Sequence, residues 1–337
     1  MKILISEFCG LGNSVLLSSA LRSLKSEQGL KVTLVGNNKF GGISIHKYSN
    51  YIDEVINLSK INFKIILNFL KNIKKSDYII IPAHSNPTIF FLFCINLFSN
   101  KKIIISYKYL NNLNIFKKII LKYIGKIKKT NFIEIEYSDK FHEIEINNKF
   151  INAIDFQFKH NSEDILLNYF DHPGDHNCIE KFNLTNKKYF VIQPFCANGQ
   201  NNYGNFSKTW PLENFEKLID MLSIKYADYL IIFVGDKGDA KNLKNFKKRD
   251  ITINLLSKTT LSELISILKN SKFIICHDSS ILHLSDSMNL SNLSLFGPTI
   301  FEKNKPNNKN SFFIRNYPMN KISPDEVIDI IDKNINS

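Results

Sequence analysis

The feature that most constrains this chain is its rhythm. Short apolar runs alternate with longer stretches that carry apolar residues at helical spacing. In the first half the runs are Lys2–Ser6, Lys31–Val35, Tyr78–Pro82 and Lys102–Ser106. Between the first two, Ser14–Ser26 places Val15, Leu16, Ala20, Leu21 and Leu24 on one side of a helix. Strands that alternate with helices predict parallel sheets covered by helices.

From about Asp139 to Lys187 the rhythm blurs, and His172-Pro173-Gly174-Asp175 is a turn signal within it. A domain boundary is expected near residues 175–187. The second half then restarts the pattern. Strands are expected at Tyr189–Pro194, Tyr229–Gly235, Ile251–Leu255, Phe273–Cys276 and Asn292–Phe296. Helices are expected at Leu212–Lys225, Lys237–Phe246, Leu261–Lys269 and Ile281–Met288. Thr260 with Glu263, and Ser323-Pro324-Asp325-Glu326, are helix starts by capping and by acids in the first turn. The expected division is residues 1–180, residues 181–322 and a last helix over 323–337. A chain of 337 residues can bury two cores of that size.

Composition removes several classes of function. Hydrophobic residues at 44% and charged residues at 22% are globular proportions. The longest apolar stretch, Ile89–Phe98, falls well short of the ~20 residues that a membrane-spanning helix needs. Met1–Ile5 reads as a first strand and not as a signal peptide. Cys9, Cys94, Cys178, Cys196 and Cys276 are scattered, which argues against structural zinc and disulfides and fits a reducing cytosol.

The net charge of +13 implies an acidic partner. Between Lys101 and Phe132 stand nine lysines and no acid. Within that stretch, residues 115–124 read as a basic amphipathic helix. It is either a solvated surface helix or a face that meets an anionic membrane or glycolipid. The Lys101–Lys129 region offers no aromatic platform and matches no known module, so nucleic acid is not an expected partner.

Four groups of residues can carry chemistry. The turn Phe8-Cys9-Gly10-Leu11-Gly12-Asn13 joins the first strand to the first helix, and Gly10 and Gly12 allow a close approach of backbone to ligand. Lys208-Thr209-Trp210-Pro211 precedes a helix, and Lys208 can act as a point charge for phosphate. Gly235-Asp236-Lys237-Gly238-Asp239 follows a strand; its acids serve ribose hydroxyls or cap a helix. The richest group is Cys276-His277-Asp278-Ser279-Ser280-Ile281-Leu282-His283, running from a buried strand into a helix. Ser279, Ser280 and the helix N–H groups can hold a diphosphate. Asp278 can orient that loop or a sugar hydroxyl, and His283 lies one turn further on. Leu295-Phe296-Gly297-Pro298-Thr299 closes the next strand end.

Taken in order and spacing, these segments resemble the bacterial heptosyltransferases, glycosyltransferase family 9. The resemblance covers nearly the whole chain, and Asp-Ser-x-x-x-His with Phe-Gly-Pro-Thr weighs most. It implies an α/β chain of the GT-B fold, two Rossmann-like doubly wound domains facing across a cleft. The C-terminal domain would take the nucleotide sugar and the N-terminal domain the acceptor. It implies an inverting, metal-independent transfer without cofactor, usually from ADP-heptose to the core of lipopolysaccharide or lipooligosaccharide. With such an acceptor, the Lys101–Lys129 stretch predicts a cytoplasmic enzyme, peripheral on the inner face of the inner membrane, where a lipid-linked or core oligosaccharide is presented. By position, Lys208 matches the family's phosphate-binding lysine, Asp239 its acidic nucleotide-side residue, and Asp278 and His283 its donor-binding pair.

Two positions depart from that pattern. Asn13 stands where the family has the Asp read as general base, and Ser280 stands where it usually has Gly. An amide can orient a hydroxyl but cannot take its proton near neutral pH. Either another group is the base, Glu7 and His84 being candidates at the ends of their strands, or the chain binds donor or glycan without efficient turnover.

Overall fold

The structure is a computed structural model that describes residues 1–25, 29–38, 42–82, 85–86, 88–98, 102–106, 115–116, 119, 132–135, 138–154, 172–175, 177–196, 208–239 and 246–335. It divides into two compact units, Met1–Tyr169 and Phe170–Ser337.

The first unit holds six parallel strands: β1 (Lys2–Glu7), β2 (Lys31–Gly36), β3 (Glu54–Asn57), β4 (Tyr78–Ile81), β5 (Lys102–Ser106) and β6 (Phe132–Ile135). Their order across the sheet is β3-β2-β1-β4-β5-β6. Ile3, Leu4, Ile5 and Ile79–Ile81 are buried because helices cover both faces of the sheet. On one face α1 (Leu11–Lys25) packs with α4 (Glu143–Asn152), burying Leu17, Leu21, Leu24, Ile146 and Phe150 with Ile3 and Ile5. On the other, α2 (Phe63–Lys75) and α3 (Ile89–Phe98) bury Phe69, Ile73, Phe91, Leu92 and Ile95 against Leu4, Ile79 and Ile81. A short 3-10 helix, Ile43–Tyr48, lies between β2 and β3.

The second unit repeats the plan. Its strands are β7 (Lys188–Ile192), β8 (Tyr229–Phe233), β9 (Thr252–Asn254), β10 (Phe273–His277), β11 (Asn292–Phe296) and β12 (Ser311–Arg315), in the order β12-β11-β10-β7-β8-β9. Around them run α5 (Asn177–Lys181), α6 (Leu212–Lys225), α7 (Leu261–Lys269), α8 (Ser280–Ser287), α9 (Phe301–Asn304) and α10 (Pro324–Asn334). Thr260 with Glu263 and Ser323 with Glu326 form reciprocal capping boxes that fix where α7 and α10 begin.

The boundary falls between residues 169 and 170, ahead of the expected 180/181. The segment after it is tied to α7: Asp175 N–H donates to Ser266 Oγ at 2.8 Å, and Lys181 Nζ reaches Glu263 Oε1 at 2.6 Å. Nor is the last helix a separate part. Val327, Ile328 and Ile331 of α10 are buried with Phe215, Leu218 and Leu222 of α6 in the second core. The first helix begins at Leu11, not Ser14, so Gly12 and Asn13 lie inside its first turn. Most of the helix expected at Lys237–Phe246 lies outside the described residues.

Candidate functional site

In the second sheet the strand order reverses between β7 and β10. Open sheets of this kind bind ligands outside the carboxyl ends of their strands at such a point. β10 ends at His277 and passes through Asp278 into α8. Ser279 caps that helix, its Oγ accepting from Ile281 N–H at 3.2 Å and donating to Gln193 Oε1 at 2.5 Å. Gln193 directly follows β7, so one side-chain bond joins the two strand ends on either side of the reversal. The first-turn N–H groups of α8 give that edge a partial positive charge.

Lys208 comes to the same edge. Its Nζ lies 3.7 Å from Asp278 Oδ2, which also accepts from Asn304 Nδ2 of α9 at 3.3 Å. Asp278 is buried, while the Lys208 side chain keeps 18% of its surface exposed. The lysine is held there by its neighbour Trp210, which is buried edge-on to Phe215 at 4.8 Å and whose Nε1 donates to Ile322 O at 3.0 Å. Trp210 N–H in turn donates to His277 Nε2 at 3.0 Å. Complete burial, reinforced by the positive charge of Lys208, pushes the His277 pKa down to about 3. His277 is therefore a neutral acceptor that fixes the Lys208–Trp210 segment against β10.

The Cys196 thiol reports on what surrounds it. Its Sγ is 3.7 Å from Thr209 Oγ1. Burial raises its pKa, Lys208 opposes the rise, and Asp239 and Asp278 add to it. These groups thus share one neighbourhood.

Asp239 is buried, which raises its pKa. Its Oδ2 accepts from Asp236 N–H at 3.0 Å, while Asp236 Oδ1 accepts from Gly238 and Asp239 N–H at 2.6 and 3.0 Å. The two acids therefore close the turn on each other. A Cβ at Gly235 would come within 2.7 Å of Asp239 Oδ2, so a side chain there would have to displace the Asp239 carboxylate. His283 is buried one turn into α8, and Ser280 opens that helix half-exposed. Gly297, Pro298 and Thr299 line an open pocket with Arg315, Asn316 and Tyr317 at the ends of β11 and β12.

The first unit presents a different picture at the end of β1. Glu7 is fully buried, and its Oε1 accepts from Ser14 Oγ and, at 3.4 Å, from Cys9 Sγ. His46 Nε2 lies 3.6 Å from the same oxygen. Gly42 lets the chain close over this cluster, since a Cβ there would sit 2.6 Å from Cys9 O and 2.7 Å from Ser14 Oγ. A carboxylate enclosed in this way secures the start of α1 and is poorly placed to take a proton from a ligand. That weighs against Glu7 as the base. Gly10 lies just before α1, and Gly12 and the half-exposed Asn13 lie in its first turn. Neither glycine has positive φ, so the turn does not depend on their left-handed freedom. His84 lies outside the described residues, as does most of the Lys101–Lys129 stretch.

Sequence reading missed Gln193 and Asn304 and gave His277, within the richest group, no role of its own; their partners are 86, 26 and 67 residues away. In Gln193 a signal was available: an amide directly following a buried strand.

The chain matches the model of glycosyltransferase family 9 (heptosyltransferase) over residues 117–329. It is 26% identical over 113 residues to lipooligosaccharide heptosyltransferase 2 of Haemophilus influenzae, an alignment that spans 32% of this chain and 33% of that protein. In three dimensions it is similar to a glycosyltransferase family 9 structure from Veillonella parvula, with TM-score 0.73 and 14% identity over 99% of this chain and 97% of the other. The ADP-heptose lipopolysaccharide heptosyltransferase II of E. coli gives TM-score 0.73 and 15% identity over 99% and 98%. The E. coli heptosyltransferase WaaC with ADP gives 0.66 and 16% over 99% and 100%. At such identities the structural likeness speaks for the fold, GT-B with its two Rossmann-like domains.

Proposed function

The chain belongs to glycosyltransferase family 9, the heptosyltransferases, and from that premise we propose that it moves a heptose from ADP-heptose onto a lipopolysaccharide or lipooligosaccharide core. The observation that carries this reading is the edge of the second sheet, where Lys208, Asp278, Ser279 and the start of α8 converge on the β7–β10 reversal. Such an edge suits a diphosphate: a lysine for its charge and helix N–H groups for its oxygens. The E. coli heptosyltransferase WaaC, described with ADP and with ADP-2-deoxy-2-fluoro heptose, supports the choice of nucleotide.

The chemistry follows from charge. An acceptor hydroxyl forms a bond to the anomeric carbon as the bond from that carbon to the diphosphate breaks; the centre inverts, ADP leaves with negative charge growing on its phosphates, and the hydroxyl proton passes to solvent. Lys208 and the α8 N-terminus neutralise that negative charge, which is the larger catalytic contribution, and no metal is required. Asp278 orients Lys208, and Asn304 orients Asp278. On the acceptor side Asn13 aligns the hydroxyl without accepting its proton. We place the enzyme in the cytoplasm, at an anionic membrane surface where the lipid-linked acceptor is presented. The exposed Ile115, Phe116 and Ile119 within the lysine-rich stretch agree with that. Among the described residues no helix is long and apolar enough to cross a membrane.

A second reading, a chain that binds the donor but turns over poorly, draws on Asn13 and on the enclosure of Glu7. One experiment separates the two. Purified protein is given ADP-heptose and a core oligosaccharide, and ADP release is followed with binding of ADP. Binding with transfer supports the first reading, binding alone the second, and absence of binding overturns both.

A further inference from the structure

The outer side of α2 and α3 does not look like the surface of an enzyme that works free in water. Their inner sides are spent on the core. Their outer sides carry Phe63 and Leu67 on α2, and Ile89, Phe93 and Leu97 on α3, each one helical turn from the next. Phe63 is 76% exposed and the other four about half. Ile61, before α2, is exposed as well. Single exposed apolar residues are ordinary, but two adjacent stripes of them mark a contact surface. The helices meet side by side, with Phe69 stacked on Phe91 at 5.5 Å and Lys74 Nζ 5.5 Å from the Phe98 ring.

Charge identifies the occupant. Lys60, Lys64, Lys71, Lys74 and Lys75 fringe the α2 stripe, all exposed, and α3 carries no charge at all. From Val55 to Ile133 the chain holds fourteen lysines and one acid, Asp77, whose Oδ2 accepts from Lys2 N–H at 2.9 Å. The remaining residues hold thirty basic and thirty acidic side chains, so the whole net charge of +13 resides in this one segment. A second copy could not cover the face without bringing the two lysine fringes together, since the acids beside α2 are engaged elsewhere, Glu54 by Asn68 and Asn72 and Asp77 by Lys2 N–H. Phosphate headgroups above acyl chains match both components, lysines to the phosphates and rings and aliphatic chains to the boundary below.

We propose that the outer face of α2 and α3 docks on an anionic lipid bilayer, both helices lying in the plane of the interface. This names the surface for the membrane partner of the reading above and holds whether or not the chain transfers a sugar.

The test is co-sedimentation with vesicles of phosphatidylcholine alone and of phosphatidylcholine mixed with phosphatidylglycerol. Wild type is expected on the mixed vesicles only, with binding that weakens as salt rises. Lys71→Gln with Lys74→Gln should weaken it roughly 30-fold, at about 1 kcal/mol for each lysine near the surface. Phe63→Ser with Phe93→Ser should abolish binding that survives in high salt. Lys272→Gln with Lys321→Gln, exposed lysines of the second unit, should change nothing. Equal binding to both vesicle types, or α2–α3 variants that bind like wild type, would overturn the proposal. So would a dimer in sedimentation that the phenylalanine variants dissolve. ADP affinity on the same samples separates the two ideas: its absence in wild type sinks the transferase reading and leaves docking standing.

Discussion

The two units share one strand order and put it to different uses. At the reversal of the second sheet, the strand ends carry Gln193, His277, Asp278 and Ser279, with Lys208 held beside them and partly open to solvent. At the end of β1 in the first sheet, the ionisable residue is Glu7, closed in by Ser14, Cys9 and His46. A doubly wound sheet offers a binding edge, but side chains decide whether that edge grips charge or only holds itself together. Unit two sets a partly open lysine and a helix start at its edge. Unit one leaves a half-exposed amide, Asn13, at the corresponding turn.

The sharpest way to break this contrast is to remove the charge from unit two. Lys208→Met should lower kcat/KM by roughly 10²–10³-fold, the usual cost of losing one preorganised group at a developing charge. ADP release and ADP affinity should fall with it. The converse change is Asn13→Asp, which gives unit one the carboxylate it lacks. We expect transfer to rise by about 10²-fold or more, the lower end of what a general base supplies, with ADP affinity unchanged. A rate that does not move would mean that another group already takes the proton.

Acid separates the units next. The folded pKa of His277 lies near 3 against an ordinary 6.5. Below pH 6.5 the unfolded chain therefore binds a proton that the folded unit refuses. Its contribution to stability is complete above that pH and is lost as pH falls toward 3, by at most about 1.4 kcal/mol per pH unit. His277→Gln, which keeps an acceptor for Trp210 N–H, should flatten that slope in denaturation measured from pH 7 to 4. The smallest effect belongs to Glu7→Gln. It should cost about 1–3 kcal/mol of stability through the disturbed buried cluster and leave ADP affinity where it was.

Much of this was legible in the sequence, and what was missed follows a pattern. The expected strands at Lys102–Ser106 and Asn292–Phe296 match β5 and β11 to the residue. The strands that passed unnoticed, β3, β6 and β12, all lie at sheet edges. An edge strand is covered on fewer sides, and Glu54–Asn57 and Ser311–Arg315 carry the mixed burial that results, so their apolar signal is weak. In the site, Asp278 and Ser279 could be named because polar residues crowd a strand end, and Lys208 because a lysine stands just before a helix. The roles of His277 and Gln193 could not be read, because they depend on partners that only the folded sheet brings near. The helix start at Leu11 was missed because Gly12 and Asn13 are poor helix formers, and the buried Ser14–Glu7 bond outweighs their propensity.

The lopsided charge of the segment from Val55 to Ile133 also has a kinetic side. Five of its lysines, Lys60, Lys64, Lys71, Lys74 and Lys75, are exposed beside α2, and on docking as proposed the field of a negative surface would attract that fringe before contact. Arrival would then be faster than blind collision allows. At high salt, encounters would become slow while every side chain stayed in place.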